Sequence, residues 1–287
     1  MRATYPRTIL SIAYPLFPVS CASGGGAEQI LSLLDHGLVR AGYRSLVLST
    51  KGSRVTGELI EAPAAQGTIT DSIREEAHGV YRKLIENTLQ RHRVDLIHFH
   101  GLDFHSYRPD GSRIPQLATL HLPIAWYPER IFNQPCLTLN CVSRHQAESA
   151  PFTDPLPFVN NGIATECFYL SPRKQNYLLW LGRICPEKGV HIALRVARRL
   201  NLSIAIAGPV HPLQAHEEYF AREVEPLLDD KRRYLGAVNR EQKAQLLASA
   251  RCLLIPSLVQ ETSSLVAMEA CSSGTPVIAF ASGALRK

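Results

Sequence analysis

IPSLVQETSSLVAMEACSSGTPVIA, residues Ile255 to Ala279, decides the fold class of this chain. The apolar run Cys252 to Ile255 leads into it as a buried strand, and Pro256-Ser257 turns the chain into an acidic loop. Leu265, Met268 and Cys271 recur at helical spacing and predict a helix from Ser263 to about Cys271. Gly274 and Pro276 end that helix, and Val277 to Phe280 reads as another buried strand. Strand, loop, helix and strand in this order make a parallel α/β sheet, whose ligands bind outside the carboxyl ends of the strands. Glu261 and Glu269 therefore belong to a loop and helix at such an edge. The helix start offers unpaired N–H groups and a positive dipole end, both suited to a phosphate. Read alone, the two acids also fit a first-turn carboxylate and a solvated helix face.

The rest of the second half repeats the pattern. Tyr177 to Leu181 is a strand, Gly182 to Glu187 a loop, and Lys188 to Leu200 a helix with Ile192, Val196 and Leu200 inward. Leu202 to Ala207 is a strand, His216 to Leu228 a helix, Arg233 to Leu235 a short strand and Gln242 to Ala250 a helix. The first of these loops carries Arg183 and Lys188. Two cations beside a helix start read either as a diphosphate site or as a solvated surface pair.

The first half is a similar alternation. Thr8 to Ala13 is a strand and Ser23-Gly24-Gly25-Gly26 a glycine loop; Ala27 to Ala41 is a helix with Ile30, Leu33, Leu34 and Leu38 on one face, and Ser45 to Ser49 is a strand. The loop is not GxGxxG, so it reads as a close backbone approach to a ligand or as a flexible turn. Lys51 to Asp71 is expected to be a mobile loop and Ser72 to Arg93 a long helix, followed by strands at Asp95 to Phe99, Gln116 to Leu120 and Leu137 to Val142. His121 directly follows the middle strand and either orients a substrate hydroxyl or caps a loop. His98 and His100 alternate about Phe99, so they are expected on opposite faces rather than as a pair. Val142-Ser143-Arg144 begins a helix, and Phe158 to Asn161 is a last strand before a polar linker. The predicted domains are 1–168 and 169–287.

With 287 residues, 45% hydrophobic and 20% charged, the chain has room for two cores and the balance of a soluble globular protein. A net charge of +6 suits an anionic small molecule or acceptor, and is compatible with peripheral membrane contact. No basic tract interleaved with aromatics points to nucleic acid. Seven cysteines without a CxxC pair read as reduced, buried thiols of a cytoplasmic protein, with no metal-ligand spacing. The apolar N-terminus is interrupted by Pro15 and Pro18 and reads as a first strand rather than a signal sequence; no stretch approaches a membrane span.

Together, WLGRICPEKGV at 180 to 190 and PSLVQETSSLVAMEACSSGTPVIAF at 256 to 280 resemble the donor domain of retaining family 4 glycosyltransferases (glycosyl transferases group 1) of the GT-B fold. Glu261 and Glu269 have that family's E-x7-E spacing; SGGGAEQ resembles its glycine loop, TLH at 119 to 121 its acceptor-side histidine, and VNNGI at 159 to 163 its pre-linker segment. The resemblance implies two Rossmann-like doubly wound domains facing a cleft, an acceptor-side domain first and a nucleotide-sugar domain second. It implies a hexosyltransferase-type enzyme that uses a nucleotide diphosphate sugar, with no cofactor and no metal at the diphosphate. The acceptor would be a polysaccharide, a lipid or a small molecule. By the same resemblance Arg183 and Lys188 hold the diphosphate, Glu261 the sugar hydroxyls and Glu269 the ribose. Ser263, Ser264 and Leu265 line the donor helix start, Gly25 and Gly26 donate backbone N–H groups, and His121 contacts sugar or acceptor.

The sequence departs from the family in two places. Ser263-Ser264 stand where Phe-Gly is common, and the chain stops at Lys287 where the family continues, so a truncated donor domain is expected. Competing readings are a non-catalytic nucleotide-sugar-binding remnant and a nucleotide-sugar epimerase on the same architecture. A NAD-dependent dehydrogenase ranks last, because no acid follows the second strand at Ser49-Thr50.

Overall fold

The computed structural model describes residues 6–286; residues 1–5 and 287, the outer ends of the two expected domains, lie outside the described residues. Two compact units meet between Asn160 and Asn161. That division precedes the expected 168/169 boundary because Phe168 packs into the second unit's core, under the ammonium of Lys243.

The first unit runs β1 (Thr8–Ile12), α1 (Gly26–Arg40), β2 (Arg44–Thr50), β3 (Glu58–Ala62), α2 (Asp71–Arg91), β4 (Leu96–Phe99), β5 (Gln116–Leu120), β6 (Leu137–Cys141) and α3 (Arg144–Glu148). Its sheet has the order β3-β2-β1-β4-β5-β6, every pair parallel, with Leu10 registered between Leu46 and Ile97. All of β1 is buried, as a central parallel strand covered on both faces must be. Thr70 caps α2 at Ile73 N, and Ser143 caps α3 at Gln146 N.

The second unit runs β7 (Leu178–Leu181), α4 (Val190–Arg199), β8 (Ile204–Ala207), α5 (Gln214–Tyr219), β9 (Arg232–Tyr234), α6 (Arg240–Ser249), β10 (Cys252–Ile255), α7 (Leu265–Ser272) and β11 (Val277–Ala279). Its parallel sheet is ordered β11-β10-β7-β8-β9. Alternation along β7 sends Leu178 and Trp180 into one core with Val190 and Leu194, and Leu179 and Leu181 into the other with Leu247 and Ala270. A capping box of Asn239 and Gln242 starts α6.

Several expectations are corrected. The stretch 51–71 contains β3, held by buried Asp35, whose carboxylate accepts from Ser45 Oγ at 2.6 Å, Thr56 N at 2.6 Å and Gly57 N. In α1 the deep face is Glu28, Leu31 and Asp35 rather than the leucine stripe. In α4 it is Val190, Ala193, Leu194 and Ala197, leaving Val196 and Leu200 exposed. The predicted helix over 216–228 is an α turn, a π-helical turn over Phe220–Val224 and a 3-10 turn at Pro226. Phe158 makes only an isolated bridge to Cys141, and β11 is an exposed edge strand rather than a buried one. Cys21, Cys136 and Cys271 are exposed, so only part of the thiol set is buried. Among the described residues no helix is long and apolar enough to cross a membrane.

Two glycines test the packing. Gly208 has φ +143°, and a Cβ there would overlap the Gly182 carbonyl; Gly236 has φ +72° with open space around it. Gly208→Ala should therefore lower the thermal unfolding midpoint further than Gly236→Ala, which bears only the backbone strain of about 1–3 kcal/mol. Equal shifts, read by circular dichroism, would show that the β8 turn is not close-packed.

Candidate functional site

In both units the chain lays strands outward in one direction and then returns to the other side of the first strand. The order reverses between β7 and β10 in the second unit, and between β1 and β4 in the first. The crevice at such a reversal is where an open α/β sheet binds ligands.

In the second unit, the loops that leave β7 and β10 flank this point. Leu258 N donates to Glu187 O at 2.8 Å, tying one loop to the other. Gly189, at φ +66°, permits the approach, since a Cβ there would overlap the Pro256 carbonyl. Lys188 Nζ then donates to Glu261 Oε1 at 2.6 Å, and Ser257 Oγ donates to the same oxygen. Glu261 is buried, with 7% of its surface exposed, so it is not a solvated first-turn carboxylate. Its backbone is braced from below: Ala284 N donates to Glu261 O at 2.7 Å and Ser282 Oγ to Val259 O at 2.9 Å.

Glu269 is also buried, and Lys243 Nζ of α6 donates to its Oε1 at 2.5 Å. The buried face of α7 is Leu265, Glu269 and Ala270, while Cys271 is exposed; the acid, not the apolar stripe, points inward. Ser264 caps α7 without a side-chain hydrogen bond, and Ser263 lies half-buried just ahead of it. Arg183 differs from Lys188. Among the described residues its guanidinium has no carboxylate partner, and its charge, after burial, helps depress His211 to about 4. The described residues thus supply two buried acids, each paired with a lysine, and one arginine without a carboxylate partner, a charge balance suited to an anion.

In the first unit, Gly25 is the N-cap of α1, followed by Gly26. A Cβ on Gly25 would overlap the buried Glu28 carboxylate, so this helix start already carries an acid of its own. The histidines come together, contrary to the expectation of opposite faces. The rings of His98 and His100 are 4.1 Å apart, and His100 Nδ1 lies 3.0 Å from His121 Nε2. Residues two apart along a strand share a face, so the period-2 rule itself puts His98 and His100 together, with Phe99 pointing the other way. Burial lowers His98 to about 4; burial and then His98 lower His121 to about 3; His100 is pushed well below its ordinary value by burial and both neighbours. All three are neutral near pH 7. Beside them Asp103 accepts from or pairs with His78 Nε2 at 2.5 Å, and burial followed by Asp103 raises Tyr14 to about 12, with Arg74 opposing.

Sequence reasoning missed Lys243, Ser257, Ser282, Glu28 and Asp103. Glu28 and Ser257 lie inside the quoted stretches 23–29 and 256–280 without a role assigned to them, whereas Lys243, Ser282 and Asp103 stand outside every motif.

The Glycosyl transferases group 1 family profile matches residues 168–287. The chain is 35% identical over 117 residues to a D-inositol 3-phosphate glycosyltransferase of Mycolicibacterium smegmatis, covering 40% of this chain and 27% of that protein. It is 31% identical over 122 residues to the Corynebacterium efficiens protein of the same name, covering 40% and 28%. The aligned part is thus under a third of either curated relative. Among solved structures, a sucrose-phosphate synthase from Thermosynechococcus elongatus superposes with a TM-score of 0.81 at 18% identity, covering 98% of this chain and 82% of that one. The Anabaena protein HepE in complex with UDP and glucose gives 0.66 at 17% identity, covering 96% and 81%.

Two predictions follow from the geometry. Lys243→Met strands a buried carboxylate and should cost about 3–5 kcal/mol, recovered largely in Lys243→Met/Glu269→Leu; urea unfolding measures both. Histidines whose pKa is depressed in the folded state stabilise it above their unfolded value of about 6.5 and lose that contribution as pH falls towards 4 and 3. The first unit should accordingly weaken over this window, and His98→Asn should flatten the slope. The segment 168–287 thus matches the Glycosyl transferases group 1 domain, in a chain of two parallel-sheet units with the GT-B fold.

Proposed function

We propose that this chain is a retaining, metal-independent glycosyltransferase, which moves a sugar from a nucleotide diphosphate sugar to an acceptor hydroxyl. The observation that carries the reading is Arg183, without a carboxylate partner among the described residues, on the same loop as the Glu261-paired Lys188 at the strand reversal. A diphosphate placed there would meet two cations and the first amides of a helix, among them those of Ser264 and Leu265.

In the reaction the bond from the anomeric carbon to the diphosphate oxygen breaks, and its electron pair stays on the departing nucleoside diphosphate. Arg183 and Lys188 would balance the charge that grows there, the role a metal ion plays in other enzymes. The acceptor oxygen bonds to the same carbon from the face the diphosphate leaves, and its proton passes to the departing phosphate oxygen. Glu261, paired with Lys188, is suited to accept from sugar hydroxyls. Glu269, paired with Lys243, is suited to accept from ribose hydroxyls.

His121, neutral and hydrogen-bonded to His100, would present one ring nitrogen to a sugar or acceptor hydroxyl, and Gly25 and Gly26 would offer backbone amides. The relatives in complex with UDP and glucose make a nucleotide sugar the first donor class to try. The free cysteines agree with a cytoplasmic, reducing setting, and a polysaccharide, lipid or small molecule would accept the sugar.

Calorimetric titration of UDP, GDP and ADP into the full chain tests the donor site. One nucleotide should bind without added metal, and Arg183→Ala and Glu269→Ala should each weaken it by about 1–3 kcal/mol. Product analysis with the matching sugar should show a glycoside of unchanged anomeric configuration. A folded chain that binds none of the three, or that yields an epimerised nucleotide sugar, would overturn the reading.

A further inference from the structure

The Arg183–Lys188 loop carries a second group of side chains that the proposed transfer does not use. Cys185 and Glu187 project from the loop, and His216 comes from α5, reached through the turn after β8. One ligand atom from each, a thiol sulfur, a carboxylate oxygen and a ring nitrogen, lie within 4.8 Å of one another. Cys185 is buried, while Glu187 and His216 are half-buried. The Cys185 thiol points at the Arg183 carbonyl, 3.6 Å away.

The arrangement leaves one group unsatisfied. Nδ1 of His216 is buried and has no hydrogen-bond partner among the described residues. A histidine nitrogen taken out of water without a partner costs free energy that a purely structural turn has no reason to bear. The neighbouring charge also matters. Arg183 lies close enough to lower both His216 and His211, so an ion seated here must be neutralised locally. A thiolate and a carboxylate supply two negative charges and a neutral imidazole supplies none, which balances a dication.

We propose that Cys185, Glu187 and His216 form a three-ligand site for a borderline-soft divalent cation of the zinc class, with its fourth position open. The donor set selects the ion: sulfur and imidazole favour zinc or cobalt, whereas magnesium and calcium prefer oxygen throughout. Bonds of about 2.0–2.3 Å hold tetrahedral ligands roughly 3.5 Å apart, so side-chain movements of about 1 Å close the site. On binding, sulfur bonds the metal and its proton leaves to solvent. The site is distinct from the diphosphate position, because its ligands at 185 and 187 interleave with Arg183 and Lys188 along the loop rather than replacing them. It needs no nucleotide, so it stands or falls separately from the proposed transfer.

The test is a titration of the reduced full chain with cobalt and then zinc, without nucleotide. The expected result is a near-ultraviolet sulfur-to-cobalt charge-transfer band, displaced by zinc at a single calorimetric site. Cys185→Ser should abolish the band, and Cys185→Ser and His216→Gln should each weaken zinc by about tenfold or more. Cys21→Ser/Cys271→Ser, which removes two exposed thiols, should leave both readouts unchanged. Circular dichroism verifies that each variant is folded. The proposal is overturned if no band forms, if the band survives Cys185→Ser, or if it disappears with the exposed thiols instead. Magnesium heat equal to that of zinc would also overturn it.

Discussion

The second unit depends on bringing a lysine from one loop onto a buried carboxylate from another. Lys188 and Glu261 come from opposite sides of the point where strand order reverses, and their 2.6 Å contact fixes the distance between the loops. Neither charge is stable there alone, because a buried unpaired ion is expensive. The backbone cooperates: the Leu258–Glu187 hydrogen bond and the glycine at 189 let the chains approach until the side chains meet. The rest of the edge follows from that clamp. It joins the loop that carries Arg183, which has no acidic partner among the described residues, to the loop that leads into α7.

Lys243 and Glu269 repeat this device one layer further back. Together the two pairs give each buried acid a lysine as its own counterion. Such carboxylates accept hydrogen bonds from hydroxyls without repelling an adjacent diphosphate, because each carries its own counterion. A polyol attached to a diphosphate needs both properties within a few ångströms. In the proposed complex the excess charge of Arg183 would face the anionic end.

What the sequence disclosed was local. The E-x7-E spacing, the glycine and lysine of the 182–189 loop and the turn residues at 274 and 276 state their chemistry within a few positions, and the structure keeps them at one sheet edge. What it concealed was the direction in which helices face. Apolar residues lie on two sides of α4, and propensity cannot choose between Val196 and Leu194; the sheet chooses. In α1 and α7 the inward positions include acids, Asp35 and Glu269, which periodicity assigns to solvent because it counts apolar residues alone. Lys243 lies 26 residues from its partner, so nothing nearby announces it. The histidines were legible: positions two apart on a strand share a face, so His98 and His100 belong together, and the expectation of opposite faces misapplied that period.

Asp35 has a reach beyond its own contacts. By holding the amides of Thr56 and Gly57 it keeps β3 laid along β2, whose Leu46, Val47 and Leu48 are fully buried. Without β3, that strand would present a row of open backbone groups backed by apolar side chains, which is a template for another chain. β3 itself makes a poor template, since Glu58 and Glu61 put charge along the outer edge. One buried carboxylate therefore anchors the entry to the strand that shields the backbone groups of β2, so a residue that never meets solvent helps set what the sheet edge shows to it.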